Sequence, residues 1–205
     1  MYDNVPKEAA VADNLAKILA ITLMSGGVFS LPIAIAVMKE KGILRRYKVT
    51  PLRPISIILG MIIRQIVFML LVTATLFIIV FVLYNADIKG NIIEWLIITC
   101  VGVFVFSAMG FFIGGIVKTN QGASGVGNIL FMPMLFLSGA SIPIFLFPEW
   151  LVKVAKLLPA THLNLVFQSV MFEGNPLSQS YSSLLILIGF GIVFIILTVF
   201  TARFE

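Results

Sequence analysis

The chain has 205 residues, of which 60% are hydrophobic and 11% charged, and it carries a formal net charge of +5. A soluble domain of this length cannot bury so much apolar surface around one core without leaving large exposed patches, so the surplus faces lipid. The basic excess borders apolar runs and has no aromatic ladder or nucleic-acid-binding motif, so no nucleic acid is expected as a partner; the single Cys100 excludes an intrachain disulfide and a cysteine-built metal site.

The first fourteen residues, MYDNVPKEAAVADN, lack the basic start and small-residue cleavage site of a signal peptide, so the apolar run that follows is kept as a membrane helix. Runs near the roughly 20 residues needed to cross a bilayer recur along the chain. They predict five spans, at 15–38, 61–84, 95–117, 122–142 and 183–202. Only helices and closed barrels satisfy every backbone amide in hydrocarbon, and continuous rather than alternating apolar runs select helices. The expected fold is all-α: a polytopic membrane helix bundle forming one domain, with short interfacial or re-entrant helices on one side.

After the first span comes a basic segment, 39–54, reading KEKGILRRYKVTPLRP, with six of the fourteen Lys and Arg residues. Cytoplasmic loops retain positive charge, so Lys39, Lys41, Arg45, Arg46, Lys48 and Arg53 place this loop inside. Alternation then puts Lys118 and Arg203 inside as well, a tally of eight against five when Arg64 is omitted. The expected orientation has the amino end outside and the carboxyl end in the cytoplasm. Arg64, about one membrane thickness from Tyr84, reads as a side chain snorkelling to the cytoplasmic border.

Chemistry of the usual kinds is scarce. All nine Asp and Glu residues fall outside the five spans, with Glu94 abutting one, which weakens an ion-coupled carrier. The stretch GFFIGGIVKT, 110–119, fails the nucleotide-binding loop spacing because Ile116 rather than Lys follows Gly115. No cofactor is expected on this chain, and any nucleotide hydrolysis falls to another one. His162, the single histidine, cannot build a metal cluster alone. Gly110 with Gly114, and Gly122, Gly125 and Gly127, allow tight helix packing within the chain or across a dimer.

Beyond the fourth span lies an expected outer segment, 143–180. In PEWLVKVAKLLP, helical spacing puts Trp150, Leu151, Val154, Leu157 and Leu158 on one face and Glu149, Lys153 and Lys156 on the other. Pro148 suits the first turn of this interfacial helix and Pro159 its end. A second apolar stretch, 162–172, is too short to cross and stops at the breaker cluster Glu173, Gly174, Asn175 and Pro176.

Two patterns point to a family. One is KEKGILRRYKVTPLRPISIILG, 39–60; the other is GNILFMPMLFLSGASIPIFLFPEWLVKVAKLLPATH, 127–162, with Pro133, Ser138, Gly139, Pro143, Pro148, Trp150 and Pro159 in order. Together they resemble the permease subunit of type 2 ABC transporters, which includes drug-efflux and polysaccharide-export permeases. The resemblance implies a coupling segment at Glu40, Lys41, Gly42, Leu44, Arg45, Arg46, Lys48, Thr50 and Pro51 that docks on a separate ATP-binding subunit, which carries ATP and Mg. The residues agree: Arg45, Arg46 and Lys48 can pair with acidic groups, and Thr50 before Pro51 is driven toward extended geometry. The same charges alternatively serve orientation and anionic lipid alone.

The resemblance further implies a homo- or heterodimer of permeases in the inner membrane of a prokaryote, with a translocation path between them. That path would be closed on the outer side by the turn from Pro133 to Pro159. Because the family pattern has six spans with both ends inside, it also implies that the first helix is absent from this sequence. The resulting expectation is an ATP-driven exporter subunit, not itself an enzyme; the alternatives are a non-transporting membrane scaffold or assembly factor and an ion-coupled carrier.

Overall fold

The computed structural model describes residues 7–43, 54–84 and 90–201. Among them every regular element is helical, as the continuous apolar runs require. Four helices are long and apolar enough to cross a membrane: Asp13–Glu40, Gly60–Val82, Ile92–Ile116 and Leu177–Thr201.

The first crossing is built from α1 (Lys7–Ser25), a π turn at Gly26–Ser30, and α2 (Leu31–Glu40). A proline inside a helix clashes with the carbonyl four residues back, which for Pro32 belongs to Val28. The π turn just before it supplies a wider ring, in which the Leu31 N–H donates to the Gly26 carbonyl. The helix thus continues through its proline.

The next helix, α3 (Pro54–Tyr84), has 31 residues, so at 1.5 Å per residue it reaches about 46 Å, well beyond the hydrocarbon core. It begins seven residues before the expected span start at 61, because Pro54 is preorganised for a first helical turn. The central helix is α4 (Ile92–Ile116). Asn91 opens it with a capping box: the Asn91 Oδ1 accepts from the Ile93 N–H at 3.1 Å, and the Asn91 N–H donates to Glu94 Oε2 at 3.4 Å. The other Glu94 oxygen accepts from the Leu177 N–H at 2.9 Å, tying this helix end to the lead-in of the last span. Glu94 therefore lies inside α4 rather than beside it, and its charge is used at the helix N-terminus.

Helix α5 (Asn120–Leu137) is 18 residues long and stops five residues short of the expected 142. Ser138 and Gly139 end it, Gly139 with a left-handed φ of 81°. Its first half is polar, and it is not among the four helices apolar enough to span. The short α6 (Glu149–Ala155) follows, then α7 (Pro159–Phe167), a π turn at Gln168–Glu173, and the last span α8 (Tyr181–Thr201).

One expectation for this region is corrected. Pro159 starts α7 instead of closing α6, which has already ended at Ala155. The apolar stretch after it, expected to be re-entrant or interfacial, is enclosed by the protein: Ala160, Leu163, Val166, Phe167, Val170 and Met171 are all buried in the main core. It breaks at Gly174 in a left-handed conformation.

Packing centres on α4. Of the most apolar stretch of each span, 67% is buried in α4 against 17% in α3 and 11% in α8, so the latter two present apolar faces to lipid. Its glycines face the first crossing. A Cβ on Gly110 would collide with the Gly27 carbonyl and one on Gly27 with the Phe106 backbone, while one on Gly114 would meet Ile35 Cδ1 at 2.7 Å and one on Gly102 Leu23 Cδ1 at 2.9 Å. On the other side Phe104 fills the space left by Gly191, and the rings of Phe112 and Phe194 pack at 5.9 Å. Gly110 and Gly114 therefore serve packing within the chain, whereas a Cβ on Gly125 meets nothing within 4 Å.

Gly110→Ala is expected to destabilise the protein by about 1–3 kcal/mol through overpacking. Gly125→Ala should stay within about 0.5 kcal/mol of the unsubstituted chain. Thermal unfolding in detergent, followed by loss of monodispersity, compares the two; equal shifts would contradict the crossing described here.

Candidate coupling site

The basic segment leaves the bundle at the end of α2. Here Lys41 donates its N–H to the Val37 carbonyl and Gly42 its N–H to the Lys39 carbonyl, both at 3.0 Å, and Gly42 turns the chain with φ 63°. Glycine fits this left-handed helix end at least cost. Lys41 is exposed. Leu44, Arg45, Arg46, Lys48, Thr50 and Pro51 lie outside the described residues.

The last turn of α2 meets the short connection between α4 and α5. Lys39 Nζ donates to the Gly115 carbonyl at 2.6 Å and to the Val117 carbonyl at 3.2 Å. Glu40 Oε1 accepts from the Asn120 N–H at 3.0 Å, the first residue of α5. The end of a helix exposes unpaired carbonyls and a partial negative charge, and the start exposes unpaired N–H groups and a partial positive charge. A cation and an anion on consecutive residues of α2 answer both. Thr119 completes the start of α5 by accepting from the Gly122 N–H at 3.0 Å. Neither Lys39 nor Asn120 stood out in the sequence, where the first counted only toward topology.

At the far end, the residues expected to close a path fall into two groups. Ser138 and Gly139 form the turn after α5: the Ser138 carbonyl accepts from Asn164 Nδ2 at 3.1 Å, a buried hydrogen bond to α7, and a Cβ on Gly139 would meet Ile144 Cγ1 at 2.7 Å. Pro143 leads into a short 3-10 turn, Ile144–Leu146, that packs over this glycine. Pro133 sits within α5 and is exposed. Pro148 and Trp150 belong to α6, where Pro148 is the cap residue and Trp150 is 66% exposed. Pro159 is buried at the start of α7.

His162 is buried at this end, with Nε2 2.8 Å from the Lys156 carbonyl and Nδ1 3.4 Å from Ser183 Oγ, so it joins the end of α6 to α8. The sequence could not reveal Asn164 as the partner of Ser138, since the two are 26 positions apart. Among the described residues no group of His, Cys, Asp or Glu could hold a metal ion.

The face of α5 turned away from the bundle begins polar, unlike the exposed faces of α3 and α8 over most of their length. Ala123, Gly127 and Met134 are buried, Gly127 against Phe29 and the Val28 carbonyl. On the opposite side Gln121, Gly125 and Asn128 are exposed, followed by Ile129, Met132 and Phe136. The exposed faces of α3 and α8 are mostly Ile, Val, Leu and Phe, with Arg64 and Thr75 on α3 and Tyr181, Ser182 and Thr201 at the ends of α8.

These features define a multi-pass helical membrane protein whose charges are concentrated at the helix ends. The chain matches the family described as "ABC-2 type transporter" over residues 1–172 and belongs to that family. It is 24% identical over 207 aligned positions to "Putative transport permease YvfS" of Bacillus subtilis (strain 168), spanning 98% of this chain and 81% of that protein. It is 27% identical over 143 residues to "ABC transporter G family member 20" of Dictyostelium discoideum, spanning 69% of this chain but 20% of that protein, or a fifth of its length. The protein is thus a membrane component of an ABC transporter, and its family implies pairing with an ATP-binding subunit.

Asn164→Leu, which removes the donor to the Ser138 carbonyl, is expected to lower stability by about 1–3 kcal/mol through an unpaired buried carbonyl. Thermal unfolding of the purified protein measures this, and an unchanged midpoint would remove Asn164 from the account of the α5 turn.

Proposed function

We propose that this chain is the permease subunit of an ATP-driven exporter, working as a dimer with a translocation path bordered by the uncovered face of α5. The observation that carries the reading is that face. Polar groups in a membrane helix are costly against lipid and are found facing a bundle interior, a partner helix or a water-filled cavity. Among the described residues no helix covers Gln121, Gly125 and Asn128, so a second permease and the path between the two supply that environment.

The segment around Glu40 to Pro51 docks the ATP-binding subunit, which holds ATP and Mg, and its basic residues set this end in the cytoplasm. The far turn at Ser138 and Gly139, with Pro143 and its 3-10 turn, then lies on the outer side and closes the path. Trp150 and the exposed Leu157 of the α6 region sit at headgroup depth on that side. The family likeness and the apolar walls favour a drug, a lipid or a lipid-linked glycan as substrate, in the inner membrane of a prokaryote.

Two measurements test the reading. Asn128→Cys in a Cys100→Ser background should cross-link to a second copy in membranes, placing α5 beside its symmetry mate. Arg45→Glu with Arg46→Glu should leave the permease folded while abolishing co-purification of the ATP-binding subunit and ATP-dependent export into proteoliposomes. Intact assembly and export in that double variant would sink the docking role.

A further inference from the structure

We propose that Lys39 and Glu40 pass movement of the basic segment to α5, acting inside the permease rather than on the ATPase. The inference rests on the reading of this chain as an ATP-driven permease. It reassigns Glu40, which the family resemblance set among the docking residues, because its carboxylate is held by the Asn120 N–H of the same chain.

The geometry leaves little slack. Gly42 ends α2 one residue past the Lys41 turn, so a pull on the segment beyond it first meets the helical turn that carries Lys39 and Glu40. That turn grips two helix ends at once: Lys39 holds carbonyls at the end of α4, and Glu40 holds an N–H at the start of α5. Only residues 117–119 separate these helices, so the grips cannot shift independently. Charge-assisted hydrogen bonds are short and directional, which suits them to carry displacement rather than only to neutralise charge.

Higher up, the π turn that leads into α2 touches α5 at Gly127, through Phe29 and the Val28 carbonyl. From the last turn before Gly42, α2 and α5 thereby form one line that ends at Ser138 and Gly139. A charge pair serving only as a static brace would also stabilise the fold, but it would not make the position of α5 depend on nucleotide.

One substitution separates these roles. Asn120 is the first residue of α5, where proline is well tolerated, and Thr119 before it is already extended at φ −125° and ψ 152°. Asn120→Pro therefore deletes the N–H that Glu40 holds and leaves the helix intact. Spin labels at Ile63→Cys on α3 and Ile129→Cys on α5, both exposed, would report their separation in the complex with the ATP-binding subunit, in a Cys100→Ser background.

In the otherwise unsubstituted complex the label distance should change between the nucleotide-free and the ATP-vanadate states. In Asn120→Pro, and in Lys39→Gln, ATP hydrolysis should persist while that change is lost; Lys39→Arg should restore it. A distance change that survives in Asn120→Pro, at an unaltered melting temperature, overturns the inference and leaves the permease reading standing. A complex that binds ATP without moving the labels at all overturns both.

Discussion

The close crossing of the first span and α4 is the contact on which the rest of the arrangement depends. Lipid tails are as apolar as leucine, so little hydrophobic force draws helices together inside a membrane; close van der Waals approach must do it instead. Gly27 and Gly110 let two backbones come within reach of each other, with Gly102 and Gly114 extending the seam in both directions. Once this seam is set, α2 has nowhere to end except beside the turn that leaves α4. The positions of Lys39 and Glu40 follow from the glycines.

Charge placement obeys a related economy. Among the described residues the ionised groups with side-chain or main-chain partners lie at helix ends or toward the ends of the candidate spans. Glu94 caps α4 and holds the Leu177 N–H, Lys39 and Glu40 serve the α4 to α5 turn, and Asp13 pairs with Lys17 at 2.6 Å while accepting from Gln168 at 2.9 Å. Where no water reaches, a backbone group without an intrahelical partner is as demanding as a side chain. The charged residues meet that demand, and the middle of the bundle is left to apolar packing.

Hydropathy over about 20 residues reports apolar length directly, and four of the five expected spans coincide with helices long and apolar enough to cross a membrane, whereas 122–142 does not. The sequence disclosed the family through spacings of glycine, serine and proline in 127–162, which are punctuation with fixed geometric meaning. It misread Pro159, because proline suits both the residue just past a helix and the first residue of the next. It set the end of α5 at 142 because apolarity continues through Ala140 and Ile142 after the helix has turned at Gly139. For the stretch that forms α7 it left re-entrant and interfacial placement both open, since length alone does not say what encloses a helix. The clamp at Lys39 and Glu40 was invisible for another reason: its partners are main-chain groups about 80 positions away, and no side-chain pattern marks a carbonyl or an N–H as a partner.

The π turn at Gly26–Ser30 has a consequence for the angular phase of the first crossing. A ring closed over five residues holds one more residue than the α-helical ring, and each residue advances the helix by about 100°. Wound as an ordinary α-helix, the same residues would turn all of α2 about its axis by most of that amount. Pro32 would be driven back onto a carbonyl, and Lys39 and Glu40 would swing off the α4 to α5 turn. The extra residue is thus a timing element, setting which compass direction the last turn of α2 faces some fifteen ångströms away.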